Sequence, residues 1–341
     1  MSDLSAANAA ALAHVTGVAR AAASGAQERL RDVPDAGDLI ALIRAYGRVT
    51  LNFHPDRIAI GGLTVAEALA ADGRYRSQYE TGISNGSRSA FLGGDRDGWE
   101  LTLFGAAYHG DGVRSADRPK YGALNLGGYA DGAAPRFGSC HVRLRPEVND
   151  RCTFTFHDSH LGPADIGTTA AFEPVLAAYL AEGGSTELLR GLPEQRFDPA
   201  AAGRVLDDYI EAQVHGVVDL ATDAEAIVAD PSFQGTVTGS ALAKAAADAG
   251  IELLWHRGFT LSPSDMDDEF RGPEAPPFAA HVCALFGVES FDAEVVGRAA
   301  QSIVRTPGNW ANFGADLEVL QLIKYLWHTL VAFGRPPERN V

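Results

Sequence analysis

The segment from Asp207 to Phe233 reads DDYIEAQVHGVVDLATDAEAIVADPSF and contains two short apolar runs separated by a polar break. The first run begins just after Glu211 and is rich in valine, and the second is Ala226–Ala229. Short runs of this kind, bounded by Asp, Gly or Pro, are typical of β-strands. The pattern therefore predicts a buried hairpin with the carboxylate of Glu211 at its start.

The surrounding region, residues 47–235, has the same character. Gly, Thr, Ser and aromatic residues are frequent there, and the apolar runs are short. Further strands are predicted at Val49–Phe53, Tyr121–Leu126, Ser139–Leu144, Thr153–Phe156 and Gln213–Val218. Few helices lie between them: one over Val65–Ala71, which Thr64 can cap, and one near Phe172–Ala181. Because strands and helices do not alternate regularly, we expect an α+β core of two small, mostly antiparallel sheets packed around a central cleft.

Helical patterns flank this core on both sides. Residues 1–46 are rich in Ala and Leu, and Asp35 can cap a helix that reaches Ala45. Near the C-terminus an apolar stripe at helical spacing ends at Gly334 and consists of Leu320, Ile323, Trp327, Leu330 and Val331. We therefore divide the chain into an N-terminal helical segment (1–46), the α+β core (47–235) and a mostly helical C-terminal region (236–341).

Composition limits the classes of function. The 341 residues are 46% hydrophobic, enough to bury a large core, and 44 acidic residues against 28 basic ones give a formal charge of −16. Such a charge repels nucleic acids and anionic membranes. No apolar run approaches the roughly 18 residues of a membrane span. The cysteines, Cys140, Cys152 and Cys283, show no C-x-x-C spacing, so we expect a reducing, cytoplasmic setting.

Three polar segments interrupt the predicted core. The first strand ends in His54, and the loop Asp72–Gly86 is dense in Arg, Ser, Tyr and Gly. Loops of this composition leave hydrogen-bond donors available to a ligand. The strand that begins at Tyr121 breaks its apolar pattern with Tyr121 and Asn125. The candidate binding residues in these segments are His54, Arg76, Ser77, Thr81, Ser84, Tyr121 and Asn125.

The order of these features resembles the ADP-ribosyltransferase fold of diphtheria toxin and the poly(ADP-ribose) polymerases, over about residues 48 to 235. In that family a strand ending in His precedes a short helix, a substrate loop, a strand bearing Tyr, and a Glu before the last strands. The matching features here are Phe53-His54, Thr64–Gly73, Tyr121 and Glu211-Ala-Gln-Val-His. The segments Tyr75–Gly86 and Arg118–Asn125 also resemble a bacterial family of uncharacterised proteins.

The resemblance implies an NAD-dependent ADP-ribosyltransferase, which transfers one ADP-ribose to an acceptor and releases nicotinamide. Glu211 would be the catalytic carboxylate, His54 would bond the adenosine ribose, and Tyr75, Tyr79 or Tyr121 would stack on nicotinamide. A carboxylate beside the oxocarbenium-like ribose stabilises the transition state more than the ground state. The expected partner is NAD, without a metal, and the acidic charge favours a protein or small molecule as acceptor over a nucleic acid.

Two other functions stay open on the sequence alone. The motif His157-Asp158-Ser159-His160 suggests a metal-dependent hydrolase, in which His54, Asp56, His109 or His141 could complete the site. A non-enzymatic protein-binding module is the other alternative, and it would bind no nucleotide. The sequence contains no P-loop, no G-x-G-x-x-G after a predicted strand and no G-x-S-x-G elbow, so no familiar motif decides among the three.

Overall fold

The computed structural model describes residues 4–83 and 90–337, which form an α+β structure. Within these residues the strands are β1 (Val49–Phe53), β2 (Arg74–Tyr75), β3 (Lys120–Leu124), β4 (Cys140–Leu144), β5 (Cys152–Phe156), β6 (Ile166–Thr168), β7 (Ile210–Val214), β8 (Val218–Asp219), β9 (Ala224–Ala229) and β10 (Glu252–Trp255). The helices are α1 (Ala6–Ala21), α2 (Ala23–Arg29), α3 (Ala36–Tyr46), α4 (Val65–Asp72), α5 (Gln78–Thr81), α6 (Asp95–Leu103), α7 (Glu173–Ala181), α8 (Thr186–Arg190), α9 (Leu220–Asp223), α10 (Val237–Ala249), α11 (Asp268–Arg271), α12 (Ala275–Phe286), α13 (Ala293–Arg305) and α14 (Asp316–Phe333).

Eight of the ten described strands form one large mixed sheet, so the prediction of two small, packed, mostly antiparallel sheets is wrong. Eight strands follow the order β10-β9-β4-β1-β3-β7-β5-β6, and β2 and β8 form a separate pair. Strand β1 pairs with β3 on one side and β4 on the other, which joins the predicted strands into a single sheet. Strand β10 comes from the region after residue 236 and extends this sheet in parallel with β9.

The hairpin predicted between Glu211 and Ala229 is also wrong. Strand β7 pairs with β3 and β5, whereas β9 pairs with β4 and β10, so three strands separate them. The cause is local: after β7 the chain turns at Gly216, whose φ is +80°, and β8 leaves the sheet to pair with β2. A glycine tolerates this backbone conformation without the steric cost of a Cβ.

The strands of the large sheet present one apolar face and one polar face. Paired positions Leu51, Val142 and Ile227 are fully buried in the main hydrophobic core. The alternate positions point the other way, because successive side chains of a strand alternate between faces. One row of that second face runs across four strands and consists of Thr50, Ala123, Glu211 and Thr155.

Two of the helices predicted from the sequence, α4 and α14, are present in the structure. Helix α4 begins with the predicted cap at Thr64, whose hydroxyl accepts from the backbone N–H of Glu67. Helix α14 buries the predicted stripe, and Trp327 from that stripe donates a 2.8 Å hydrogen bond from Nε1 to the carbonyl of Pro135. Helix α14, which was expected in a separate C-terminal region, thus contacts the α+β core (residues 47–235) directly.

Two further features bear on the sequence expectations. Cys140, Cys152 and Cys283 are buried and form no disulfide. Within residues 4–83 and 90–337, none of the helices has the length and apolar character needed to cross a membrane.

Candidate active site

Three of the predicted site residues come together on adjacent strands. His54 directly follows β1, Tyr121 lies on β3 and Glu211 lies on β7, and these strands are consecutive neighbours in the sheet. All three line one open cleft with an empty volume of about 1090 Å³. The order of the strands in the sheet therefore places side chains that are far apart in sequence around one space.

Glu211 is the second residue of β7, within the strand and not before it, and only 5% of it is exposed. Gln213 donates a 2.8 Å hydrogen bond from Nε2 to Oε1 of Glu211, and Thr153 donates to Gln213 over 2.6 Å. Burial raises the pKa of Glu211 to about 8, and the negative charge of Asp158 adds to the shift. A cationic ligand beside this carboxyl favours its ionised form.

Asp158 is a second carboxylate in the cleft lining. Tyr209 donates a 2.9 Å hydrogen bond to its Oδ2, and the backbone N–H of His160 donates to its Oδ1 over 3.1 Å. Burial acts to raise the pKa of Asp158, but the hydrogen bonds from His160 and Tyr209 and the charge of His160 together outweigh it, and the pKa is lowered. Two carboxyls whose pKa values are displaced in opposite directions are typical of functional sites. The sequence offered Asp158 only as a member of the histidine motif.

Tyr121 is held in place by charged neighbours. Its hydroxyl donates a 2.8 Å hydrogen bond to Oε1 of Glu100, which is fully buried and also pairs with Arg118. The guanidinium carbon of Arg96 lies 4.3 Å from the centre of the Tyr121 ring. Of the other candidate tyrosines, Tyr75 lines the cleft, whereas the ring of Tyr79 is covered by Arg118 at 4.4 Å. Tyr121 and Tyr75 are thus the candidate tyrosines that line the cleft, with Arg96 over one face of the Tyr121 ring.

Positive charge dominates the cleft lining although the whole chain is acidic. Among the described residues two carboxylates line it, Asp158 and Glu211, against five cations: Arg57, Arg74, Arg76, Arg96 and Lys120. Arg57 is only 6% exposed, and its Nε and Nη1 have no hydrogen-bond partner within residues 4–83 and 90–337. A buried donor without a partner is costly, so an anion in the cleft would stabilise this group.

Lys120 and His54, which also line the cleft, differ from Arg57 in their hydrogen bonds and charge. Lys120 donates to three backbone carbonyls and is a structural group, and burial lowers its pKa to about 8. His54 is partly buried, with its ring 5.2 Å from that of Trp327. Burial lowers the pKa of His54 well below its usual value, and the charges of Arg57 and His328 add to this. His54 is therefore a neutral imidazole that can donate or accept a hydrogen bond.

The chain matches one family model, described as a protein of unknown function (DUF3626), over residues 48–201 and 190–333. The chain belongs to this family. The matched range of the DUF3626 protein begins one residue before β1 and ends at the last residue of α14, so it contains the entire cleft lining. No curated protein matches the chain.

Four other predicted binding residues of the DUF3626 protein lie in different settings. Arg76 and Thr81 line the cleft, where the guanidinium of Arg76 bonds Oδ2 of Asp72 at 2.7 Å. Ser77 is buried, caps α5 and donates to the carbonyl of Ser115. Asn125 lines a separate pocket and bonds the backbone of Tyr129 twice. A fifth predicted residue, Ser84, falls outside the described residues.

The histidine motif does not form one cluster. Nε2 of His157 lies 3.3 Å from the carboxylate of Glu182, whereas Nδ1 of His160 lies 2.8 Å from Asp158. His109 pairs with Asp97. In the part of the chain that the structure describes, no three His, Cys, Asp or Glu side chains are placed to hold a metal ion together.

Proposed function

We propose that this DUF3626 protein is an NAD-dependent ADP-ribosyltransferase that transfers one ADP-ribose to an acceptor and releases nicotinamide. The observation that carries the proposal is the convergence of His54, Tyr121 and Glu211 on one cleft from the three adjacent strands β1, β3 and β7. These are the residues that the resemblance to ADP-ribosyltransferases singles out. The proposed likeness to the ADP-ribosyltransferase fold is limited to this block of three strands and its cleft. The rest of the sheet differs, because eight strands form one continuous sheet where two were expected.

The chemistry assigns a role to the buried carboxyl. When the bond between nicotinamide and ribose breaks, nicotinamide leaves with the electron pair and C1′ of the ribose becomes positive. An acceptor nucleophile then bonds C1′ and loses its proton to a base or to water. The nicotinamide ring of NAD is cationic, so its arrival beside Glu211 favours the carboxylate despite the pKa of about 8 in the empty cleft. The carboxylate in turn stabilises the oxocarbenium-like transition state.

The rest of the lining suits a dinucleotide. The pyrophosphate is anionic, and Arg57 offers it a buried guanidinium that lacks hydrogen-bond partners at two of its nitrogens among the described residues. Tyr75 and Tyr121 offer aromatic rings, and His54 offers a neutral hydrogen-bonding group for a ribose hydroxyl. We propose a protein or small molecule as acceptor, because the formal charge of −16 opposes nucleic acid. The buried, unpaired cysteines fit a cytoplasmic protein.

The test combines binding and turnover. Calorimetric titrations compare NAD with ATP and with a panel of divalent metals, and chromatography then measures nicotinamide released from NAD with candidate acceptors present. We expect NAD to bind and nicotinamide to accumulate. Binding of zinc or manganese without NAD would favour the hydrolase that uses His157 and His160. Binding of no nucleotide and no metal would favour the protein-binding module.

A further inference from the structure

The histidine motif His157–His160 directly follows β5, and its Asp158 lines the cleft. The motif folds as a tight turn that leads into the 3₁₀ helix Ser159–Leu161, and the carboxylate of Asp158 caps this helix. His157 has a φ of +70°, a left-handed backbone conformation that is unfavourable for a residue with a Cβ. Backbone strain of this kind is concentrated at functional sites, so the turn is a candidate for a further role in the cleft.

Asp158 is held on the same face of the sheet as Glu211. The backbone N–H of His157 donates to the carbonyl of Tyr209 over 3.2 Å, which continues the pairing of β5 with β7. Tyr209 precedes Glu211 by two residues, so their side chains point to one face and their Cα atoms are about 7 Å apart. The Tyr209 hydroxyl donates a 2.9 Å hydrogen bond to Oδ2 of Asp158. Tyr209 thus fixes the Asp158 carboxylate on the Glu211 side of the cleft.

His160 lies beside this carboxylate at the rim of the cleft. Its Nδ1 is 2.8 Å from Oδ1 of Asp158, and half of its side chain is exposed. The His160 ring also lies 6.2 Å from the ring of Trp99. The guanidinium carbon of Arg96, which lines the cleft, lies 4.8 Å from the centre of the Trp99 ring. His160 is therefore flanked by one residue that lines the cleft and by another that contacts the lining.

The contact between Asp158 and His160 decides which ring nitrogen can take a proton. Nδ1 faces a carboxylate oxygen at 2.8 Å and so carries the ring proton, which leaves a free lone pair on Nε2 of the neutral imidazole. The carboxylate also stabilises the imidazolium that forms when Nε2 takes a proton. A histidine oriented in this way is suited to general base catalysis.

We propose that His160, positioned by Asp158, is the base that receives the proton of the acceptor, and that the acceptor presents a hydroxyl group. This inference rests on the proposed cleavage of NAD. As nicotinamide leaves with the electron pair, the hydroxyl oxygen bonds C1′ of the ribose. Its proton moves to Nε2 of His160 and from there to water. A carboxylate acceptor would bring no proton to remove and would be repelled by Asp158.

The test gives the full chain NAD and one of two small acceptor probes, methanol or azide. Methanol has a proton to lose, whereas azide is an anion without one, so only methanol needs a base. Chromatography measures the rates at which methyl ADP-ribose and ADP-ribosyl azide form. In His160→Ala and in Asp158→Asn we expect the methanol product to form about 10²-fold more slowly and the azide product at nearly the wild-type rate. His14→Ala, at an exposed histidine of α1, is the matched control and should equal wild type with both probes.

The possible results distinguish failure of this inference from failure of the proposed function. A wild type that releases no nicotinamide from NAD would overturn both. A wild type that releases nicotinamide but forms no methyl ADP-ribose, or forms it no faster than His160→Ala does, would overturn the hydroxyl acceptor and its base alone. An equal loss of the methanol and azide products in the variants would also contradict the base, because the motif would then be needed for NAD cleavage or for folding.

Discussion

The two faces of the large sheet are both largely buried and yet differ in chemistry. Leu51 and Val142 on the core face are fully buried among other apolar side chains. On the opposite face Gln213 is also fully buried, but it is held by hydrogen bonds from Thr153 and to Glu211. Apolar packing alone stabilises the core face. The polar face needs a network of hydrogen bonds. At the cleft, where this network ends, Oδ1 of Asn52 and Nε and Nη1 of Arg57 have no hydrogen-bond partner among the described residues.

The largest effect is expected on the core face. Phe154 of β5 is fully buried and its ring meets that of Phe172 at 5.3 Å. Replacing Phe154 by Ala should lower the free energy of unfolding by about 3–5 kcal/mol, because it removes apolar contacts and leaves a cavity. Urea unfolding measures this. A loss below about 1 kcal/mol would show that this face is not a packed core.

Stability on the polar face should instead depend on pH. The pKa of Glu211 in the fold, about 8, lies above its usual 4.5, so the fold favours the protonated form. That stabilisation is complete below about pH 4.5 and is lost as the pH rises through about 8. Relative to Glu211→Gln, wild type should lose roughly 1 kcal/mol per pH unit within this window. Unfolding curves of both proteins at pH 5, 7 and 9 measure the difference, and a constant difference would place the pKa of Glu211 near normal.

Arg57, whose Nε and Nη1 have no hydrogen-bond partner among the described residues, should matter for ligand affinity. Arg57→Lys keeps the positive charge beside Asp56 but removes the planar fork that can bind two phosphate oxygens. We expect the Kd for NAD to rise about tenfold, roughly 1.4 kcal/mol. Calorimetry on wild type and variant measures the change. Arg298→Gln, on α13, serves as control, and an unchanged Kd in Arg57→Lys would remove Arg57 from the pyrophosphate site.

The smallest effect is expected at the Tyr121 hydroxyl. Tyr121→Phe retains the ring that faces the cleft and loses one 2.8 Å hydrogen bond to Glu100, which still pairs with Arg118. The free energy of unfolding should fall by about 0.5–1.5 kcal/mol, while nicotinamide release changes little. Urea unfolding measures the change in the free energy of unfolding, and the nicotinamide-release assay measures the change in rate. A release rate that fell by orders of magnitude would mean that the hydroxyl takes part in the reaction.

Local sequence patterns were sufficient for several elements and contributed to part of the site. The bounds of β1, the cap of α4 at Thr64 and the apolar stripe of α14 agree with prediction, because each depends on residues close in sequence. His54, Tyr121 and Glu211 could be chosen because their order along the chain resembles that of the ADP-ribosyltransferases. Periodicity contributed only the strands on which they were expected.

The pairing of strands that are far apart in sequence could not be predicted from local patterns. Strand periodicity does not state which partners a strand has, so one eight-stranded sheet was mistaken for two, and β7 was wrongly paired with β9. The same limit hid Arg57 and Asp158, which lie in loops after β1 and β5, and Arg96, which lies in helix α6. Burial of a polar residue also has no local signature, because Gln213 in β7 looks like a solvent-facing residue of an amphipathic strand.

The most direct test concerns the charge of Glu211. Glu211→Gln preserves the shape of the side chain, so NAD should bind with nearly the same Kd, measured by calorimetry. Nicotinamide release from NAD, measured at pH 9 where the carboxyl is ionised, should slow by about 10²–10³-fold. Glu182→Gln, at an exposed glutamate that pairs with His157, should keep the wild-type rate. An active wild type and a Glu211→Gln variant that release nicotinamide at the same rate would contradict the assignment of Glu211 and of the cleft as the site of NAD cleavage.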